Sequence, residues 1–183
     1  MYNTCMTKTR LDLLLVERGL ADSRAKAQAL VMAGQVRVDG QVEIKPSAQV
    51  LPGARLEVDT GPRFVSRGGE KLEAALSAFP VEVTGRVCAD VGASTGGFTD
   101  CLLQHGARRV YAIDVGKGIL AWKLRQNPAV VVMENTNARY VESLPEAVTL
   151  VTIDASFISL KILLPVVKGW FNKGEGEVIA LIK

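Results

Sequence analysis

A short apolar strand, Val87-Cys-Ala-Asp-Val91, runs directly into Gly92-Ala-Ser-Thr-Gly-Gly97, and a helix begins near Phe98. This order constrains the fold more than any other feature of the chain. Gly92, Gly96 and Gly97 remove side chains where a backbone would have to approach a ligand, and a helix that starts there directs unsatisfied N–H groups at it. The spacing narrows the ligand. A dinucleotide fingerprint reads G-x-G-x-x-G, whereas here an acid, Asp90, precedes G-x-x-x-G-G, which lacks the second glycine that admits a pyrophosphate. Asp114 closes a second strand, Arg109-Val-Tyr-Ala-Ile-Asp114, at the distance where a carboxylate accepts two ribose hydroxyls. An acid in that place suits an unphosphorylated nucleoside. The candidate cofactor-binding residues are therefore Asp90, Gly92, Ser94, Gly96, Gly97, Phe98 and Asp114, with Asn137 after the third strand placed to contact an adenine. Together they look like an S-adenosylmethionine site.

The rest of the carboxyl-terminal part alternates strand and helix. Helical patterns fall at Lys71–Leu76, Phe98–Gln104, Ile119–Arg125 and Ser159–Phe171, and strands at Val87–Val91, Val110–Asp114, Val130–Glu134, Leu150–Asp154 and Val178–Lys183. Strands that are apolar throughout imply a mostly parallel, doubly wound α/β sheet covered on both faces, with ligands at the carboxyl ends of the strands. Asp90, Asp114, Asp154 and Lys183 all fall at those ends.

The first sixty residues follow a different rhythm. A helix from about Arg10 to Arg18 buries Leu11, Leu14 and Leu15 and stops at Gly19. A second, capped by Asp22 or Ser23, carries Ala27, Leu30 and Val31 at helical spacing and ends at Gly34. The period then becomes two: Val36 and Val38, a turn at Asp39-Gly40, Val42 and Ile44, and a closing strand at Leu56–Val58. The expected division is an α-α-β-β domain over 1–60, a linker over 61–67 and the α/β domain over 68–183. Arg10, Arg18, Arg24, Lys26, Arg37 and Lys45 are candidate phosphate contacts on the small domain, interleaved with Asp12, Glu17, Asp22, Asp39 and Glu43, which read as surface charge.

Composition adds bounds. Apolar content of 48% and charged content of 22% are those of a globular chain, and a net charge of +3 does not by itself identify a nucleic-acid partner. The longest apolar runs, near 13–16 and 162–167, are far shorter than the ~18 residues of a membrane span, and no signal peptide is read. Three cysteines without a C-x-x-C pattern fit a reducing cytoplasm. Cys88 reads as a core filler. His105, the only histidine, lies just beyond the helix that follows the glycine turn, without companions suited to binding a metal, and reads as structural, so no metal is expected. Trp122 and Trp170 fall in helix-like apolar patterns and are expected to pack rather than to stack on bases.

Ser23-Arg-Ala-Lys-Ala-Gln-Ala-Leu-Val-Met-Ala-Gly-Gln-Val-Arg-Val-Asp-Gly40 resembles an S4 RNA-binding domain. Ser66-Arg-Gly-Gly-Glu-Lys71, Gly92-Ala-Ser-Thr-Gly-Gly-Phe98, Asp154-Ala-Ser-Phe-Ile-Ser-Leu160 and Ala180-Leu-Ile-Lys183 follow in the order of the TlyA family, also labelled hemolysin A. Its members resemble FtsJ-type, Rossmann-like ribose 2′-O-methyltransferases that carry an amino-terminal S4 domain. The resemblance implies transfer of a methyl group from S-adenosylmethionine to a cytidine 2′-hydroxyl of ribosomal RNA, with ribosomal subunits as partners. It assigns Lys71, Asp154 and Lys183 to the first three places of a catalytic Lys-Asp-Lys-Glu tetrad, with Lys183 as base. It also makes Arg67, in Arg63-Phe-Val-Ser-Arg67, part of a linker that couples RNA docking to cofactor binding. The family's glutamate belongs to a later strand, so the methyltransferase domain is expected to be incomplete at its carboxyl end. A non-catalytic RNA-binding or ribosome-associated module is the alternative. Membrane lysis, which the hemolysin label raises, finds neither a spanning segment nor a cationic amphipathic anchor in the sequence.

Overall fold

Leu11, Leu14 and Leu15 form one buried stripe because they recur at the spacing of a helix, and with them begins the first of two units into which the chain divides, 1–61 and 62–183. The structure is a computed structural model that describes residues 7–59, 61–156, 158–172 and 175–182. In the first unit, β1 (Thr9–Arg10) leads into α1 (Leu11–Glu17), and α2 (Arg24–Met32) follows. The Ser23 side chain caps α2 by accepting from the Lys26 N–H at 3.2 Å. The chain then forms β2 (Val36–Val38), β3 (Gln41–Val42), β4 (Gln49–Val50) and β5 (Leu56–Val58). These make an antiparallel sheet in the order β3-β2-β5 and a separate antiparallel pair of β1 with β4. The pair is too short for any alternating pattern, and the sequence shows β4 only as part of a loop. Ala27, Leu30, Val31, Val36 and Val50 complete the core over α1.

In the second unit the elements are α3 (Gly68–Ala78), β6 (Val87–Val91), α4 (Gly97–Gln104), β7 (Arg109–Ile113), α5 (Trp122–Arg125), β8 (Val130–Met133), β9 (Leu150–Ile153), α6 (Leu160–Lys168) and β10 (Glu177–Ala180). All four strand pairings in its sheet are parallel and the order is β10-β9-β6-β7-β8. The doubly wound expectation is met. Alternate residues of β6 serve opposite faces: Val87, Ala89 and Val91 pack with Leu163, Val167 and Trp170, whereas Cys88 packs with Leu72, Phe98 and Leu102 of α3 and α4. Because β7 and β8 extend the sheet on one side of β6 and β9 and β10 on the other, the order reverses between β6 and β9. A crevice opens there, just past Val91 and Ile153.

Three details depart from the sequence reading. Residues 62–67 do not read as a free linker: Phe64 is 2% exposed in the core of the second unit, and the Val65 N–H donates to Asp100 Oδ2 at 2.9 Å. The helix expected over Ile119–Arg125 is confined to α5. Trp122, expected to pack, is 73% exposed, while Trp170 is buried and its indole N–H donates to the Val141 carbonyl at 2.8 Å. Among the described residues no helix is long and apolar enough to cross a membrane.

Candidate active site

The glycine-rich turn between β6 and α4 is shaped by close packing as much as by its ligand face. A Cβ on Gly92 would lie 2.7 Å from the Asp154 carbonyl oxygen, so these two residues meet backbone to backbone at the point where the strand order reverses. Gly96 caps α4 in the left-handed region at φ 96°, and a Cβ there would enter the Leu124 side chain at 2.2 Å. A Cβ on Gly97 would lie 2.7 Å from the Gly69 nitrogen. Gly96 and Gly97 therefore seat α4 against Leu124 and against the start of α3. Gly69 has a similar role toward Phe64, whose ring atoms a Cβ would meet at 2.2 Å.

Two adjoining cavities open on this turn, and Gly92, Ser94 and Asp154 line both. The larger, about 720 Å³, is walled by Ser66, Arg67, Glu70, Lys71 and Phe98. The smaller, about 360 Å³, is walled by Asp114, Val115, Ile119, Asn137, Ala138 and Ile158 among others. Lys71 Nζ lies 3.7 Å from Asp154 Oδ2, with the lysine half exposed and the aspartate side chain 19% exposed. Asp154 is shared by both cavities, and Lys71 lines the larger. Lys183 lies outside the described residues.

Asp114 is positioned by the turn it faces. Its Oδ2 accepts the Ser94 N–H at 2.8 Å and its Oδ1 accepts the Gly116 N–H at 2.7 Å. A carboxylate offers about four acceptor positions, so capacity remains for two hydroxyls. Glu134 fixes the next loop, accepting the Gly118 N–H at 2.9 Å and pairing with Arg125. Asn137 lines the smaller cavity, and its Oδ1 accepts the Arg139 N–H at 3.1 Å.

Asp90 does not line either cavity. It is fully buried, and its two oxygens accept Thr99 Oγ1 at 2.7 Å and Thr152 Oγ1 at 3.2 Å. Burial, only partly offset by those hydroxyls, raises its pKa from 3.8 to about 6. Its place is beneath the turn, tying α4 to β6 and β9. His105 also differs from expectation: Nε2 lies 2.8 Å from Glu73 Oε2, and Cys101 Sγ lies 3.7 Å from the same oxygen. One companion, Cys101, stands one helical turn earlier in α4, at a spacing visible in the sequence, and the other, Glu73, comes from α3, which spacing alone does not bring near. Burial holds the Cys88 and Cys101 thiols up at about 12.

On the first unit the candidate phosphate contacts divide. Asp12, read as surface charge, is fully buried and accepts Arg10 through both oxygens at 3.0 and 2.8 Å, Arg24 Nε at 3.1 Å and Gln28 Nε2 at 2.9 Å. The Arg10 guanidinium, with Gln28 and Arg24, holds the Asp12 pKa well below the carboxylate range against the desolvation that opposes it. Arg10 and Arg24 nevertheless stay 36% and 54% exposed. Arg18 donates to the Ala54 carbonyl at 2.7 Å and to that of Pro52. Arg37 donates to the Gly40 carbonyl at 3.3 Å. Lys26, Lys45 and Arg67 show no side-chain ion pair among the described residues.

A parallel sheet in this order, with a glycine turn at the reversal and an acid after the neighbouring strand, defines a nucleoside-binding doubly wound α/β protein. Residues 64–183 match the FtsJ-like methyltransferase model and residues 9–56 the S4 domain model. The chain belongs to the FtsJ-like methyltransferase family, in the group whose members carry an S4 domain at the amino end. It is 50% identical over 183 residues to YqxC of Bacillus subtilis, covering 96% of this chain and 64% of that protein. It is 48% identical over 180 residues to the 16S/23S rRNA (cytidine-2′-O)-methyltransferase TlyA of Mycobacterium tuberculosis, covering 96% and 67%. The solved structure of a hemolysin-labelled protein from Streptococcus thermophilus superposes with a TM-score of 0.64 at 43% identity, over 98% of this chain and 67% of that one. The chain thus spans about two thirds of the length of these relatives.

Proposed function

We propose that this protein transfers the methyl group of S-adenosylmethionine to the 2′-hydroxyl of a cytidine in ribosomal RNA. The observation that carries the reading is the Lys71–Asp154 pair beside the glycine turn, with Lys71 on the wall of the larger cavity and Asp154 on the walls of both. The smaller cavity falls within the about 300–1,000 Å³ of small-molecule sites and has the donor set a nucleoside requires, so the residues fit the cofactor. Asp114 would accept its ribose hydroxyls and Asn137 would meet its adenine. When bound, the cofactor supplies an electrophilic methyl on a sulfonium.

The protein's own groups have the remaining tasks. The larger cavity would admit the target nucleotide and hold its hydroxyl in line with the methyl, a matter of positioning. An alcohol is a weak nucleophile until its proton leaves. In this proposal Lys183 takes that proton, Lys71 supplies the neighbouring positive charge that favours a neutral amine at neutral pH, and Asp154 orients the lysines and stabilises the charge gained. Arg67, on the wall of the larger cavity, would contact the RNA backbone there. On the first unit Arg10 and Arg24 keep N–H groups beyond those given to Asp12, and with Arg18, Lys26, Arg37 and Lys45 they would meet phosphates of folded RNA, which is read largely by shape and backbone. In this proposal the protein acts in the cytoplasm, where it would meet ribosomal subunits.

Purified protein incubated with methyl-labelled cofactor and ribosomal subunits from cells lacking the modification should label rRNA on a ribose. Label on a base would overturn the 2′-hydroxyl assignment. No label from a preparation that binds both cofactor and RNA would favour the non-catalytic module instead.

A further inference from the structure

Glu73, Cys101 and His105 lie away from the cavities assigned above, and their carboxylate oxygen, sulfur and ring nitrogen all fall within 4.8 Å of one another. We infer that these three side chains form a site for a thiophilic divalent cation, zinc being the best match, that fastens α3 to α4. The donors are delivered by rigid elements. Glu73 sits in α3, Cys101 and His105 stand four residues apart at the end of α4, and the His105 N–H donates to the Cys101 carbonyl at 3.0 Å. Residues so spaced share one helix face.

The arrangement is already close to a coordination shell. Zinc bonds of ~2.3 Å to sulfur and ~2.0–2.1 Å to nitrogen or oxygen place tetrahedral ligands about 3.3–3.6 Å apart. Cys101 Sγ lies 3.7 Å from Glu73 Oε2, already the sulfur–oxygen edge of such a tetrahedron, and His105 Nε2 lies 2.8 Å from the same oxygen. That nitrogen–oxygen edge would open by about half an ångström as the ion replaces the hydrogen bond. The other carboxylate oxygen, Oε1, is held by Arg63 NH1 at 2.8 Å, and Arg63 also lies over the Phe64 ring. Glu73 is thereby turned so that Oε2 faces the sulfur and the imidazole, the kind of outer contact that orients a metal ligand. Cys101 is fully buried, while the His105 and Glu73 side chains are 29% and 25% exposed, which leaves a path for the ion and a fourth position for water.

The donor chemistry selects the ion. Magnesium and calcium require oxygen ligands, whereas a sulfur, an imidazole nitrogen and one carboxylate oxygen suit zinc. On binding, the Cys101 S–H bond breaks and its proton passes to solvent as the sulfur–metal bond forms, while His105 coordinates as the neutral ring through Nε2. No oxidant or reductant takes part. Glu73 follows Lys71 by one helical half-turn, and Cys101 lies one turn beyond Phe98, so the ion would lock together the two helices whose first turns wall the larger cavity.

Cobalt(II) reports on such a site, because a thiolate–cobalt bond gives a near-ultraviolet charge-transfer band that oxygen and nitrogen ligands do not. Titrating the whole purified chain with cobalt(II) should produce that band with saturation at one equivalent, and zinc should bleach it. Cys101→Ser should abolish the band, and His105→Ala should weaken cobalt binding at least about tenfold. Zinc should raise the thermal midpoint of the wild type and not that of His105→Ala. Absence of the band in the wild type would overturn the site, as would its persistence in Cys101→Ser, which would assign it to another cysteine. If Cys101→Ser does not fold, unchanged cobalt affinity in folded His105→Ala overturns the proposal equally.

Discussion

Asp12 in the first unit and Asp90 in the second are both fully buried carboxylates, yet their surroundings drive them in opposite directions. Asp12 faces two guanidiniums and an amide, and its charge is favoured. Asp90 faces two threonine hydroxyls, and its pKa rises to about 6. Burial alone fixes neither outcome; the formal charge of the partner does. Each acid supports a working surface without joining it. Asp12 holds the arginines that the first unit would present to RNA, and Asp90 anchors the glycine turn from below.

The sharpest way to break this comparison is to neutralise both acids. Asp12→Asn removes the charge that two cations share, and we expect the first unit to lose about 2–3 kcal/mol at pH 7, less than the ~3–5 kcal/mol of a fully buried broken pair because the guanidiniums reach water. Denaturant unfolding measures it, together with weaker RNA binding and unchanged cofactor affinity. A loss below half a kcal/mol would show that the arginines hold their places without Asp12.

Proton linkage separates the acids next. The folded-state pKa of Asp12 is depressed, so its contribution is present above the unfolded value near 4 and fades as pH falls below it. The folded-state pKa of Asp90 is raised, so ionisation costs stability as pH rises from 3.8 through about 6. The stability of wild type relative to Asp90→Asn should accordingly improve by about 2 kcal/mol between pH 7 and pH 4, whereas relative to Asp12→Asn it should decline only below about pH 4. Chemical denaturation of the three proteins across that range decides, and parallel curves would remove the contrast.

Asp114, unlike Asp12 and Asp90, lines a cavity, and it extends the comparison to a direct contact. Asp114→Ala should weaken cofactor binding about ten- to hundredfold, the equivalent of one charge-assisted hydrogen bond of about 1.5–3 kcal/mol. Asp114→Asn, which keeps one acceptor for a turn N–H, should lose less. Calorimetry with equal affinities for wild type and both variants would remove Asp114 from the site. The smallest effect is expected of Asp90→Asn at pH 7 itself. Relief of ionisation and loss of charge-assisted bonds oppose each other there, and stability should stay within about 1 kcal/mol.

The parallel sheet was legible because its strands are apolar throughout and four of the five run into an acid, Asp90, Asp114, Glu134 or Asp154. The Lys71–Asp154 pair was reached through resemblance; spacing alone does not bring together two residues from α3 and the end of β9. What escaped the sequence involved partners supplied from a distance. Asp12 looks like surface charge until Arg24 and Gln28, on another helix, are brought to it. The space beside Gly96 and Gly97 is filled by Leu124 and by the α3 backbone, which no local motif encodes. Trp122 falls in an apolar pattern, but the helix there is a single turn and leaves the indole in solvent.

The strand order also sets a timetable. The central strand, β6, emerges from the ribosome first, and β7 and β8 can join it on one side as they appear. Its other edge waits for β9, about 60 residues later, or about 3–12 s at roughly 5–20 residues per second. Throughout that interval a strand buried along its whole length in the finished protein offers an open row of backbone donors and acceptors, the template on which nascent chains pair wrongly. The first unit, already synthesised, has by then had ample time to fold. Aggregation during production should therefore track the wait for β9, worsening when translation is slowed between β8 and β9 and staying unchanged when it is slowed only after β9 has emerged.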